Sequence, residues 1–335
     1  MAGAALTGSR LAVALVLVGL WILIHPAAAH AWTPGTHIYL GETILANLHL
    51  LPPQVATLLQ AFPFDFLYGG IAPDTSIAKK YVPAGRHSHF WNVGQETLDR
   101  APNDALRAFG MGYLSHLAAD AIAHNYFVPR QLVLTTSTRS MGHTYWESRV
   151  ETHLGGHYAR RAREIIVLDQ SAADRHLERI ISPTLFSVKT NRRLFRGMVH
   201  LTHTKSWHRA MQAQRARSRW DLTDVDVERH LSTAYDVTVE MLAAAEDGNL
   251  EQLTARALDP NGHLALKAAK RLRKKVMDAG TLGSPSRLLE LAEENFGVRS
   301  LDLGYWSRSQ VERPWLSPAR APAETRRPLI ALSGE

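Results

Sequence analysis

Two short stretches hold most of the residues able to do acid–base or metal chemistry. In AFGMGYLSHLAADAIAHNYF, Ala108–Phe127, the residues His116, Asp120 and His124 recur at steps of four. On a helix each such step turns a side chain by only about 40°, so the three share one face. Their neighbours Leu114, Leu117, Ile122 and a run of alanines are apolar, so the helix is buried. A carboxylate buried between two imidazoles needs a partner. Neutral imidazole and carboxylate are both zinc ligands, and a hydrogen-bonded His–Asp–His core cluster is the other reading. In GHTYWESRVETHL, Gly142–Leu154, His143 and Glu147 repeat the spacing on a second helix. Glu151, one turn further, is either the working carboxylate there or a surface charge.

Two loops add ligand types. YGGIAPDTS places Asp74 behind two glycines and a proline, a stiff turn that either aims the carboxylate inward or closes an Asx turn. GRHSHFWNVG offers His87 and His89 beside Phe90 and Trp91, one as a ligand and the other supporting it.

These positions follow a leader. Arg10, the apolar run Leu11–Ile24 and the Ala29-His30-Ala31 pattern read as an export signal cut after Ala31. The run is short of the roughly 20 residues a membrane span needs, an uncleaved anchor being the alternative. No later stretch is apolar enough to cross a bilayer. Export invites disulfides, yet the chain has no cysteine, so a structural metal is a candidate staple. The net charge is +7, one unit of it from Arg10 in the leader. Ten Lys or Arg and no acid lie between Arg179 and Trp220. Residues 179–220 read either as a solvated face or as a platform for anionic lipid headgroups.

Helical periodicity in His37–Leu48, Ala105–Phe127, Thr144–Leu168, Val225–Ala245 and Leu264–Met277 must position these groups. Strand alternation is scarce and no long period repeats. The expected fold is all-α, a multi-helix bundle: leader 1–31, one helical domain 32–305 with its metal-bearing part at 32–154, and an irregular tail 306–335.

The order Trp32, His37, Asp74, His89-Phe90, His116-x-x-x-Asp120, His124 and His143-x-x-x-Glu147 resembles the zinc-dependent phospholipase C family and the related S1/P1-type nucleases. The resemblance runs from Trp32 to about Leu154 and implies an all-helical enzyme around three Zn2+ ions. It implies that Trp32, through its freed amine and carbonyl, and His37 hold one ion. Asp74, His89 and His116 would hold a second, Asp120 would bridge the two, and His124, His143 and Glu147 would hold the third. Asp74 would also act as general base. The four-residue step from Asp120 to His124 is similar to the metal-binding domain of glycosylphosphatidylinositol-specific phospholipase D. The five-residue step from Trp32 to His37 is that of the nucleases, whereas Glu147 is that of the phospholipases. The implied activity is that of an exported zinc phosphodiesterase acting on phospholipid headgroup esters, with no stable protein partner. A single-strand nuclease on the same cluster and a non-catalytic zinc-stabilised protein are the alternatives. Phe64, Phe66, Tyr68, Phe90, Trp91, Tyr126 and Tyr145 could wall a headgroup pocket, though each also reads as core.

Overall fold

Ala108–Ile122 is buried on every side, which leaves that stretch no face for water, and it becomes the axis of the fold. The computed structural model describes residues 32–76, 82, 85–135, 141–182, 187–202, 209, 221–278, 285–298 and 303–316; these form an all-α bundle with no strand among them. The proposed leader, 1–31, lies outside the described residues, as does the side chain of His143. No helix among the described residues is long and apolar enough to cross a membrane.

The first helices are α1 (Pro34–Ala46), α2 (Pro53–Ala61), α3 (Pro63–Gly69), α4 (Trp91–Asp99) and the central α5 (Asp104–Ile122). A π turn, Ala123–Phe127, joins α5 to α6 (Val128–Leu134). Then come α7 (Met141–Leu154), α8 (Gly156–Val167), α9 (Ser171–Glu178) and α10 (Val188–Thr202). The last are α11 (Asp224–Glu246), α12 (Leu250–Arg256), α13 (His263–Asp278), α14 (Pro285–Phe296) and α15 (Tyr305–Arg308). The pattern expected to run unbroken through 144–168 divides at Gly155, whose φ of +79° ends α7.

Local chemistry sets the starts. Thr33 caps α1 by accepting the Thr36 N–H at 3.3 Å, with Pro34 in the first turn. Asn103 caps α5 through the Leu106 N–H at 3.0 Å. Pro129 has no N–H to return to the preceding turn, which favours the widened π turn before it.

Around α5 pack α3, α4 and α11. The α3 contact is backbone to backbone. A Cβ on Gly69 would lie 2.1 Å from the Phe109 carbonyl oxygen, and one on Gly112 would lie 2.0 Å from that of Phe66. Side chains larger than hydrogen would therefore push α3, and the turn that follows it, away from α5. On the other flank α1 packs against α8, while α13 and α14 pack on α6.

The tail expected to be irregular from 306 is ordered through Leu316. Trp306 and Trp315 are buried and stack with centroids 6.4 Å apart. Both indole N–H groups donate to Glu228 on α11, at 2.7 and 2.8 Å. Tyr39 donates to the Glu312 carbonyl and the Gln310 N–H donates to Asn47, which ties this segment to α1. Burying two indoles offsets the entropy of ordering the segment. Residues 317–335 lie outside the described set.

Candidate metal centre

Four separate elements deliver buried ligand atoms to one point. α5 contributes His116 and Asp120 on one face, as the i, i+4 spacing requires. α1 contributes His37 one turn after its cap. The 3₁₀ turn Ala72–Thr75, stiffened by Pro73, aims the buried Asp74 inward. The loop before α4 contributes His89. The ligand atoms of His37, Asp74 and His116 lie within 4.8 Å of one another, as do those of His89, His116 and Asp120. His116 belongs to both groups. His89 is the histidine of its pair that enters. The His89 N–H donates to His87 Nδ1 at 3.1 Å, and the His87 ring rests on Phe90.

The distances are those of crowded ligands. Asp120 Oδ1 lies 3.2 Å from His37 Nε2, and Oδ2 lies 3.2 Å from His89 Nε2 and 3.1 Å from His116 Nε2. Asp74 Oδ1 lies 3.3 Å from His89 Nε2. The two Nε2 atoms of His89 and His116 stand 3.1 Å apart. The His37 and His116 rings stack at 3.9 Å. Neither Asp120 oxygen nor His37 Nε2 is aligned for a hydrogen bond despite these approaches.

Outer contacts fix which nitrogen faces the cluster. His116 Nδ1 donates to the Gly70 carbonyl at 2.9 Å, so the neutral ring presents a bare Nε2 lone pair inward. Ser88 Oγ meets His89 Nδ1 at 3.0 Å, and Tyr113 donates to the Ser88 carbonyl at 2.6 Å. Lone pairs facing carboxylate oxygens at this range repel unless a proton or a metal cation lies between them. Imidazole nitrogen and carboxylate oxygen are the donor set zinc prefers. The residues therefore fit a metal.

Burial pushes the His37 pKa down, and charge on His116 adds to the effect, which favours the neutral ring that a metal can bind. Burial also opposes charge on His116, but Asp120 and Asp74 outweigh it and raise the pKa. Burial disfavours an ionised Asp120, yet the surrounding imidazoles, His116 first, hold it well below the usual carboxylate range.

Trp32 is buried beside this cluster. Its indole donates to the Ala119 carbonyl, adjacent to Asp120, at 3.0 Å, and stacks on Phe127 at 5.0 Å. His124 and Glu147 are buried but stand outside the two close groups of ligand atoms. His124 sits on the π turn and its Nδ1 donates to the Pro260 carbonyl at 2.5 Å, which turns Nε2 to the other side of the ring. Glu151 is neither a surface charge nor in those groups. Its Oε1 lies 2.6 Å from where a Gly35 Cβ would be, and it bonds to Thr33.

Sequence reasoning missed the segment that closes over these histidines from the far end of the chain. Asn261 donates to the His89 carbonyl at 2.8 Å, and Asn125 donates to the Asp259 carbonyl at 2.8 Å. Trp91 donates to the Leu258 carbonyl at 2.9 Å. Gly262, at φ +53°, lies so close that its Cβ would stand 2.2 Å from the His124 carbonyl oxygen. The Asn-Gly pair at 261–262 signals a turn, but nothing local says what the turn covers.

Of the aromatics offered as pocket walls, Phe66 and Tyr68 are core, and the Tyr68 hydroxyl donates to Asp174. Phe64 is exposed beneath Arg161. In the basic segment, α10 turns Arg192 inward over Tyr68 and against Asp174, and Phe195 and Val199 are buried. Much of 203–220 lies outside the described residues.

Residues 36–189 match the family described as zinc dependent phospholipase C. No curated protein and no solved structure matches the chain.

Proposed function

We propose, from the membership of residues 36–189 in the zinc-dependent phospholipase C family, that this chain hydrolyses phosphodiester bonds of phospholipid headgroups at the buried His–Asp cluster. The observation that carries the reading is the cluster itself: three imidazoles and two carboxylates from four elements, crowded at 3.1–3.3 Å, two of them on the central helix. The family supplies the zinc dependence.

His37, Asp74, His89, His116 and Asp120 would hold zinc, with Asp120 shared because its two oxygens face different histidines. Trp32, His124, His143 and Glu147 would complete three sites, the count the resemblance implies. Bound zinc supplies Lewis acidity at the phosphoryl oxygens and makes a water acidic near neutral pH. Asp74 would accept a proton from the attacking water at a carboxylate oxygen, the general-base role. The carbonyls of Gly70 and Pro260 hold His116 and His124 in the tautomer that presents Nε2. Burial of the cluster excludes bulk water and strengthens these fields.

The same reading makes the chain an exported protein cut after Ala31, so that the freed Trp32 amine becomes a ligand. The seat of the Trp32 indole beside Ala119 supports that placement. Phospholipid is the proposed substrate, met at an anionic surface. The test incubates zinc-loaded mature protein with phosphatidylcholine vesicles and, separately, with single-stranded DNA. Release of diacylglycerol or of phosphatidic acid is expected, and which of the two appears fixes the bond cleaved. Nucleotide release with intact lipid overturns the proposal in favour of a nuclease. Inertness towards both with zinc bound overturns it in favour of a structural metal.

A further inference from the structure

A second feature of the fold lies away from the metal centre. Between the α4–α5 joint and α9 lies a cleft of about 350 Å³ that is open to solvent, with Arg175 and Arg179 exposed at its rim. Arg100, Arg175, Arg179 and His176 line it, and Leu106 and Ile180 form part of its apolar wall. No carboxylate lines it among the described residues. Leu106 and His116 share α5 but lie nearly three turns apart, roughly 15 Å of helical rise. None of the cavity's lining residues is a ligand candidate.

The three arginines are not all in use. Glu96 holds Arg100 at 3.0 Å, whereas Arg175 and Arg179 have no partner within ion-pair distance among the described residues, Asp169 acting on Arg175 only from farther off. Several other arginines of the fold are matched: Arg130 meets Asp226 and Glu293, Arg161 meets Glu42, and Arg192 meets Asp174, whereas Arg273 is buried with two guanidinium nitrogens unbonded. Cations near the end of α9 offset its own dipole, but that role needs neither a cavity nor Arg100 from another element. His176 is buried and fixed, its Nε2 donating to the Thr97 carbonyl at 2.8 Å, so it serves as a rigid wall. The start of α5 adds its positive end to the field.

We infer that this cavity is an anion site, separate from the metal centre, that takes a phosphate ester bearing a short apolar stem. Guanidinium forks match phosphate oxygens, and Leu106 and Ile180 suit the glycerol-like portion. The volume admits such a group. Free phosphate esters and the headgroup of an anionic lipid share this chemistry. The inference does not rest on the phospholipase reading, because it concerns binding by residues outside the cluster.

The test uses zinc-loaded protein, native and carrying R175E and R179E together. Calorimetric titration with sn-glycerol 3-phosphate reads the soluble ligand, and flotation with phosphatidylglycerol or phosphatidylcholine vesicles reads the lipid. Turnover of a water-soluble phosphodiester is recorded in parallel and is expected to be unchanged; its absence in native protein bears on the metal-centre reading alone. The double variant should bind glycerol 3-phosphate roughly tenfold or more weakly, with residual binding at the cluster. If flotation with phosphatidylglycerol falls as well, the ligand is a lipid headgroup; if it does not, the ligand is a free ester. Affinity equal to native in both arms overturns the site. Should the double variant fail to fold, Ala172→Trp fills the cavity and keeps every charge. The same loss is expected, and native affinity in that variant overturns the site equally.

Discussion

Replacing Gly262 with alanine should loosen zinc without replacing any of the candidate ligands. The new Cβ would stand 2.2 Å from the His124 carbonyl oxygen and 2.5 Å from its Cβ, and backbone cannot swing aside as a side-chain tip can. It must retreat by roughly an ångström to reach ordinary contact. An L-residue at φ +53° also costs about 1–2 kcal/mol. The retreat pulls the Pro260 carbonyl from His124 and the Asp259 carbonyl from Asn125, about 1 kcal/mol each. We expect a stability loss of ~3–4 kcal/mol in urea and zinc affinity lower by roughly 10–100-fold, the usual cost of disturbing a ligand's outer contact. The assay is zinc retained per chain against a competing chelator, with Gly155→Ala as control. Gly155 shares the positive φ, at +79°, but no atom lies within 4 Å of its Cβ position. With ψ at 176° the control should lose about 1–3 kcal/mol from backbone strain alone, and no zinc. If Gly262→Ala matches the control in both measurements, the segment 259–262 does not hold His124.

Three further outcomes can be checked. Burial pushes Glu151 up from 4.5 to about 7, so its contribution is intact below pH 4.5 and is lost as pH rises through 7. E151Q should therefore be the more stable protein at pH 8, by ~2 kcal/mol, and show no advantage at pH 4, by thermal melts at both values. Glu228→Ala strands two buried indole N–H groups and should cost ~3 kcal/mol in urea, while Glu228→Gln, which still accepts one, should cost less. Zinc at 100 times its dissociation constant should stabilise the protein by about 2.7 kcal/mol. That gain should fade as pH falls from 7 to 5, because the imidazoles must be neutral to bind. A zinc effect independent of pH would count against histidine ligation.

Much of the His–Asp cluster could be read along the chain because its residues obey local rules. His116 and Asp120 share a face by helical spacing alone, and Asp74 is aimed by the Pro73 turn beside it. His37 follows a Thr-Pro helix start. The choice between His87 and His89 was not legible, because it turns on one backbone hydrogen bond within the loop. The π turn at His124 departs from the α-helical period that places a third ligand on the same face. Asn261 and Gly262 meet His89 and His124 across more than a hundred residues of chain, and no local pattern encodes such a meeting. Histidine number misleads as well. His176 and His230 are buried donors to backbone carbonyls, indistinguishable by type from the ligand candidates. The two tail tryptophans sit among prolines and arginines, so composition points to disorder where burial prevails.

The strap of residues 303–316 also orders events in time. α1 carries His37, the first histidine after Trp32, yet its outer side is fastened by Gln310, Glu312 and Trp315. Those contacts close a loop of nearly the whole described chain, the slowest kind to form. A polypeptide emerging from its N-terminal end can shape α3, α4 and α5 early, since they adjoin in sequence. It cannot finish seating α1 until residue 316 is free to fold back. The earliest histidine of the cluster to be made is thus among the last to be secured, and a chain stalled or clipped before Trp306 would hold an unfinished cluster behind a largely formed bundle.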